Sequence, residues 1–200
     1  MLLIGLEKGW PMLMGAIFFL LAAAYFFAKE EKRQKFFFYA SGGIAFLMIL
    51  RASSLAGILY WFWSQAPPQK FLLPPYQPIT YFLGYAFTHF FFSLVLTLGS
   101  TGMIFRIFWT LDRLRPGRFQ KGDLLLFACC LLLVRWPLAL VYTGAVLAFP
   151  LLSSLVSWYI MKEKREIVLS PYFLIAAAPF LFFPEWGIQL FQLEALQMPF

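Results

Sequence analysis

Nine carboxylates serve a 200-residue chain: Glu7, Glu30, Glu31, Asp112, Asp123, Glu163, Glu166, Glu185 and Glu194. None falls in the middle of a long apolar run. Asp123 stands apart, because Gly122-Asp123 is followed at once by six apolar residues and so opens a hydrophobic helix. Partial desolvation at such a boundary favours the protonated acid, which is what two carboxyls need in order to share a proton and activate water. Glu30, in the first charged stretch, is one partner for it. Asp112, eleven residues earlier on the same side, is another. The simpler reading makes Asp123 a helix N-cap, bonding free amides and favoured by the helix dipole. On that reading Asp112 pairs with Arg115 in a basic loop, an exposed contact of little energy.

The cations inside apolar stretches are the second group. Arg51 lies fifteen residues into one stretch and His89 ten into another. Ionisable groups within a membrane mark functional sites by default, because their burial costs several kcal/mol. No acid in the apolar stretches can pair with Arg51, so its partner is a carbonyl, a hydroxyl, an anionic lipid or ligand, or another subunit. His89, beside Thr88, fits a hydrogen bond between helices equally well. Arg106 and Arg135 lie close enough to span ends to snorkel to an interface.

Other chemistries lack their residues. Cys129 and Cys130 are adjacent within an apolar run and read as small core hydrophobes, with no Cys/His zinc spacing. His89 is the only histidine, which argues against bis-histidine haem and His-rich metal sites. There is no phosphate loop of the Walker type, no Ser/His/Asp set and no lysine placed for a retinal-type linkage. We therefore expect neither a cofactor nor a metal.

The elements that must position these groups follow from composition. The chain is 62% hydrophobic and 12% charged, with mean hydropathy +0.78, about half the charge of an ordinary soluble domain. Charges cluster in short runs between stretches long enough to cross a bilayer core of roughly 30 Å, which takes about 20 helical residues. Stretches such as Phe36 to Leu50 are apolar all round, without the alternation a barrel needs. The expected fold is thus all-α, a polytopic integral membrane bundle of about six transmembrane helices in one domain. The expected spans are 9–28, 36–63, 79–110, 123–140, 143–161 and 170–184, with a tail over 185–200 lying on the interface. The fourth and fifth would turn between Leu140 and Thr143.

Eleven of the sixteen basic residues fall in 29–35, 111–122 and 162–166. By the positive-inside rule those loops are cytoplasmic and both termini face outward. Trp61, Trp63, Trp136 and Trp186 then mark the outer boundary, with Trp109 and Trp158 near the inner one. Loop bias also explains the net charge of +7, so no nucleic acid is expected as partner. No removable signal peptide is expected, since the first residues lack a basic n-region and a small-residue cleavage site.

Three features in this order resemble the type IV prepilin and preflagellin peptidases, intramembrane aspartyl proteases with a GxGD motif. Gln120-Lys121-Gly122-Asp123 opens the fourth span, with Gln120 where that family has its first glycine. Lys162-Glu163-Lys164-Arg165-Glu166 leads through Ser170-Pro171-Tyr172-Phe173 into the last span. Lys29-Glu30-Glu31-Lys32-Arg33 is similar to the family's first acidic stretch, with Glu30 near the place of an aspartate. The resemblance implies a catalytic Asp123 with Glu30 or Asp112 as second acid, and motif roles for Gly122 and Pro171. It also implies a bacterial or archaeal inner membrane and, as substrate, a membrane-anchored peptide cleaved after a basic leader at the cytoplasmic face. Six spans in about this length, with Ala24 and Ala28 on the first helix, also resemble the substrate-binding subunits of energy-coupling-factor transporters. That alternative is a non-enzymatic subunit in which Arg51 and His89 hold an anionic ligand, a lipid or a partner subunit.

Overall fold

A computed structural model of the chain describes residues 2–65, 67, 69–114, 122–161 and 170–193, with the side chains of 9–29, 32–65, 67, 69–114, 122–149, 151–152 and 171–193. Its regular elements among these residues are all helical. They are α1 (Leu2–Phe27), α2 (Glu30–Gln65), a 3-10 turn (Gln69–Leu72), α3 (Ile79–Ala86), a π-helical turn (Phe87–Phe91), α4 (Phe92–Leu114), α5 (Asp123–Val134), α6 (Leu138–Met161), α7 (Ser170–Phe182) and α8 (Pro184–Leu190). Where little water competes, the backbone satisfies itself by coiling, and these Phe-, Leu- and Ala-rich stretches carry few groups that would interrupt it.

Among the described residues, three helices are long and apolar enough to cross a membrane: Gly9–Phe27, Lys32–Gln65 and the continuous run Ile79–Leu114. A fourth results if α7 and α8 count as one broken span, bent by 92° at Phe183. The outer faces are strongly apolar, with Phe19, Phe26, Phe27, Phe38, Phe46 and Trp61 all exposed. A soluble surface rarely carries so continuous an apolar patch. Only Ala28 and Lys29 separate α1 from α2, so the two pack as an antiparallel hairpin.

The fourth expected span has a different form. α5 ends at Val134, and the break falls at Arg135 to Pro137 rather than between Leu140 and Thr143, which lie inside α6. Twelve residues of helix reach about 18 Å, too short to cross a hydrocarbon core alone. Pro137 explains the position, since proline disfavours helical geometry in the residue before it. α5 is instead a central post. Asp123 and every residue from Leu126 to Val134 are buried, as expected of a helix that is apolar all round.

Around this post, α2 runs parallel to α5 and α4 runs antiparallel. Gly122 lies against Gln34, Cys129 Sγ is 3.5 Å from the Phe37 carbonyl, and Arg135 meets Arg51 over one tryptophan. On the other side Phe108 packs on Phe127 at 4.9 Å, and Trp136 N–H donates to Thr97 Oγ1 at 3.2 Å. α7 closes the core: Phe173 stacks near Phe127 at 5.0 Å, and Tyr142 Oη donates to the Phe173 carbonyl at 3.1 Å. Both cysteines are fully buried free thiols in this core. α8 turns back over the bundle through Gly187, where an added Cβ would sit 3.0 Å from Leu138 Cδ2 and 3.2 Å from Phe180 Cδ1.

Candidate functional site

Arg51 and His89 line the same cavity, of about 430 Å³, between α1, α2, the π-helical turn with α4, and the break after α5. Trp10, Ser93, Thr97 and Arg135 join them, and Met48, Ala52, Leu55, Phe90 and Leu94 supply apolar wall. Arg51 lies fourteen residues, about 21 Å, from the nearer end of α2. No carboxylate lines the cavity among the described residues.

The two arginines converge on one platform. The Arg51 guanidinium carbon is 4.8 Å from the centroid of the Trp10 ring and that of Arg135 is 5.0 Å from it. A cation over an indole face gains from about 0.5–1 kcal/mol when exposed to about 2 kcal/mol when desolvated. Two cations sharing one ring still repel each other, so the ring holds them in place without removing their charge. Nε and Nη2 of Arg135 are buried with no hydrogen-bond partner, and so is Nε1 of Trp10. A buried donor left unmade costs about 1–3 kcal/mol, and more when charged.

The backbone holds Arg135 at this point under strain. Its φ is 64°, in the left-handed region a side chain seldom adopts, at a cost of order 1–3 kcal/mol. Three bonds hold it there: Arg135 N–H donates to Leu131 O at 3.0 Å, Ala139 N–H to Arg135 O at 2.7 Å, and Trp136 N–H to Thr97 Oγ1. Non-helical backbone between spans is sustained only where protein covers it or a cavity receives it, and this break lies at the cavity.

His89 sits in the π-helical turn, a distortion frequent at functional sites. Its Nδ1 is 2.9 Å from Tyr85 O and 3.1 Å from Thr88 Oγ1. Its ring lies on that of Tyr85 at 3.8 Å and 16°. These contacts set the ring plane.

The residues of the second candidate constellation lie at the other end of α5. Asp123 is buried, but the cap position belongs to Gly122, at φ 98°, and Asp123 is the first helical residue. It still lies where the helix dipole favours a negative charge. Gly122 seats against the backbone of Gln34, where an added Cβ would be 3.5 Å from both N and Cα. The start of α5 therefore lies beside the first turns of α2, which begins at Glu30. Asp112 is half-buried near the end of α4, with Oδ1 buried and unbonded. Pro171 is the half-buried second residue of α7. The Glu30 side chain and the stretch 162–169 lie outside the described residues. Among those described, no group of three or more His, Cys, Asp or Glu could hold a metal ion.

Sequence reasoning missed Trp10 and gave Arg135 a snorkelling role. Arg135, two residues before Pro137 inside an apolar stretch, was the available clue, because broken helices place ligand sites in membrane proteins. Arg106, read the same way, is exposed on α4.

Fold and cavity together define a class: a helical chain with, among the described residues, three or four helices able to cross a membrane and a pocket walled by two arginines, a tryptophan and a histidine. No family model, curated protein or solved structure matches the chain.

Proposed function

We propose that this chain is a multi-pass cell-membrane protein, of six spans with both termini outside, that binds an anionic group between Arg51 and Arg135 as a non-enzymatic subunit of a transporter or larger membrane complex. One observation carries the reading: a pocket rich in cationic and N–H donors, two of its donor groups buried without partners, and no lining carboxylate among the described residues. The buried, unpartnered Nε and Nη2 of Arg135 form an edge that suits two oxygens of an anion. A test uses purified protein in phosphatidylcholine nanodiscs. Adding an anionic amphiphile, oleate or phosphatidic acid, raises the unfolding temperature of the wild type and of Asp123→Asn, while Arg51→Leu abolishes the rise. An equal rise in Arg51→Leu would sink the reading.

A second reading is an intramembrane aspartyl peptidase of the prepilin type, with Asp123 and either Glu30 or Asp112 holding the attacking water. It is supported by the burial of Asp123 and by the seating of Gly122 against Gln34, which draws the Gly-Asp pair toward the first acidic stretch. Purified protein in lipid would then cleave a prepilin-like segment and Asp123→Asn would not. Cleavage retained in the variant removes Asp123 from that role.

A further inference from the structure

Resting on the anion-binding reading above and naming its ligand class, we infer that the cavity takes a single-chain amphiphile. Its oxyanion head, a carboxylate or a phosphate, lies on the side-on edge of Arg135, and its apolar tail lies between α2 and α4. Nε and Nη2 form that edge, two parallel N–H groups matched to two oxygens of one anion. On Arg135 both are buried without a hydrogen-bond partner. Trp10 Nε1 is a further buried donor without a partner, on a side chain only 9% exposed. Both residues line the cavity. Buried donors left unmade are costly, and oxyanion oxygens accept such bonds. Arg51 has the Trp10 ring and a further interaction to hold it, so the head group falls to Arg135.

The place of the tail follows from where α5 stops. α5 separates α2 from α4 as far as Val134. Thr97 and Arg51 mark the level of the break, through the Trp136 hydrogen bond and the shared indole. Beyond that level α2 and the run from Ile79 continue together until Trp63 packs on Tyr85 at 5.0 Å. Leu55 lies four residues past Arg51 on one wall, and Leu94 and Phe90 lie three and seven residues before Thr97 on the other. Seven helical residues rise about 10 Å, so an apolar slot of that length leads away from the head site. The cavity volume of about 430 Å³ falls within the range of sites for whole small ligands and exceeds what a head group alone fills.

The test measures unfolding temperature for the wild type, Arg135→Lys and Trp10→Phe in phosphatidylcholine nanodiscs. The probes are octanoate, octyl phosphate, acetate, inorganic phosphate and octanol, each at the same concentration. Arg135→Lys keeps the charge and loses the paired N–H groups. Trp10→Phe keeps a ring, loses Nε1, and guards against a folding defect at the strained Arg135. The expected result is a rise of roughly 5–10 °C in the wild type with an octyl anion at about a hundredfold excess over its Kd. That rise is lost in Arg135→Lys and reduced in Trp10→Phe, and acetate, inorganic phosphate and octanol give none. A response to octanoate alone identifies a carboxylate head and one to octyl phosphate alone a phosphate head; either supports the assignment. A rise with acetate or inorganic phosphate as large as with the octyl anions, lost in the variants, overturns the amphiphile and leaves the anion site standing. A rise with octanol equal to that with octanoate shows that the head contributes nothing, and overturns both the amphiphile and the anion-binding reading. Equal rises with the octyl anions in all three proteins overturn the assignment, since uptake into the bilayer then explains them. No rise with any probe overturns both.

Discussion

Arg51 and Arg135, from elements eighty-four positions apart in the chain, are held over the same indole, that of Trp10. α1 supplies the ring, α2 one cation and the break after α5 the other. The arrangement brings two like charges together in a cavity whose lining is mostly apolar.

The ring and its cations should be energetically coupled. In a double-mutant cycle, Trp10→Leu and Arg135→Gln should show an interaction of about 1–2 kcal/mol, the size of a desolvated cation–π contact. Reversible unfolding in mild detergent measures it. Additive effects would mean that the ring merely fills space.

Gly122 should resist replacement for a backbone reason. Its φ of 98° lies where a Cβ is strained, while the 3.5 Å separation from Gln34 is an ordinary contact. Gly122→Ala should destabilise the chain by about 1–2 kcal/mol, and Gly122→Asn by less, since asparagine tolerates the left-handed region better. Equal costs for the two variants would point to crowding instead.

Gly187 should resist for the opposite reason. Its φ is ordinary, but an added methyl would press on Leu138 and Phe180 at 3.0 and 3.2 Å. Gly187→Ala should cost about 1–3 kcal/mol, the range of overpacking. Faster amide exchange confined to α8 would show that the helix has lifted off. Unchanged exchange there would contradict the packing.

Cys129 and Cys130 are fully buried on α5. Neither should react with a small maleimide in the folded protein, and both should react once denaturant opens the bundle. Mass spectrometry counts the adducts. Rapid labelling of either thiol in the native state would show that α5 is not the central post.

The long helices were readable from hydropathy because a stretch able to cross a membrane needs a certain length and composition. α1, α2 and the run from Ile79 to Leu114 are visible as apolar stretches, and the bend at Phe183 falls where the tail was expected to leave the last span. The fourth stretch was readable only as apolar. Its division at Arg135 to Pro137 required weighing a proline and an arginine against continuous hydropathy on both sides. Arg51 and His89 were legible as candidates because charge inside an apolar run is expensive wherever it lies.

Their meeting in one cavity, and the recruitment of Trp10 and Arg135, were decided by tertiary structure. A soluble helix advertises its buried face by an apolar stripe. Here the helices are apolar on every side and carry little record of which face meets which neighbour. Sequence alone determined that the chain forms apolar helices and that a few ionisable groups lie within them. Only packing decided that α5 stands at the centre, parallel to α2, and that its broken end delivers a second arginine to the first. Aromatic contacts such as Phe108 on Phe127 and a few hydrogen bonds such as Trp136 to Thr97 choose that arrangement, and they depend on pairs of residues far apart in the chain.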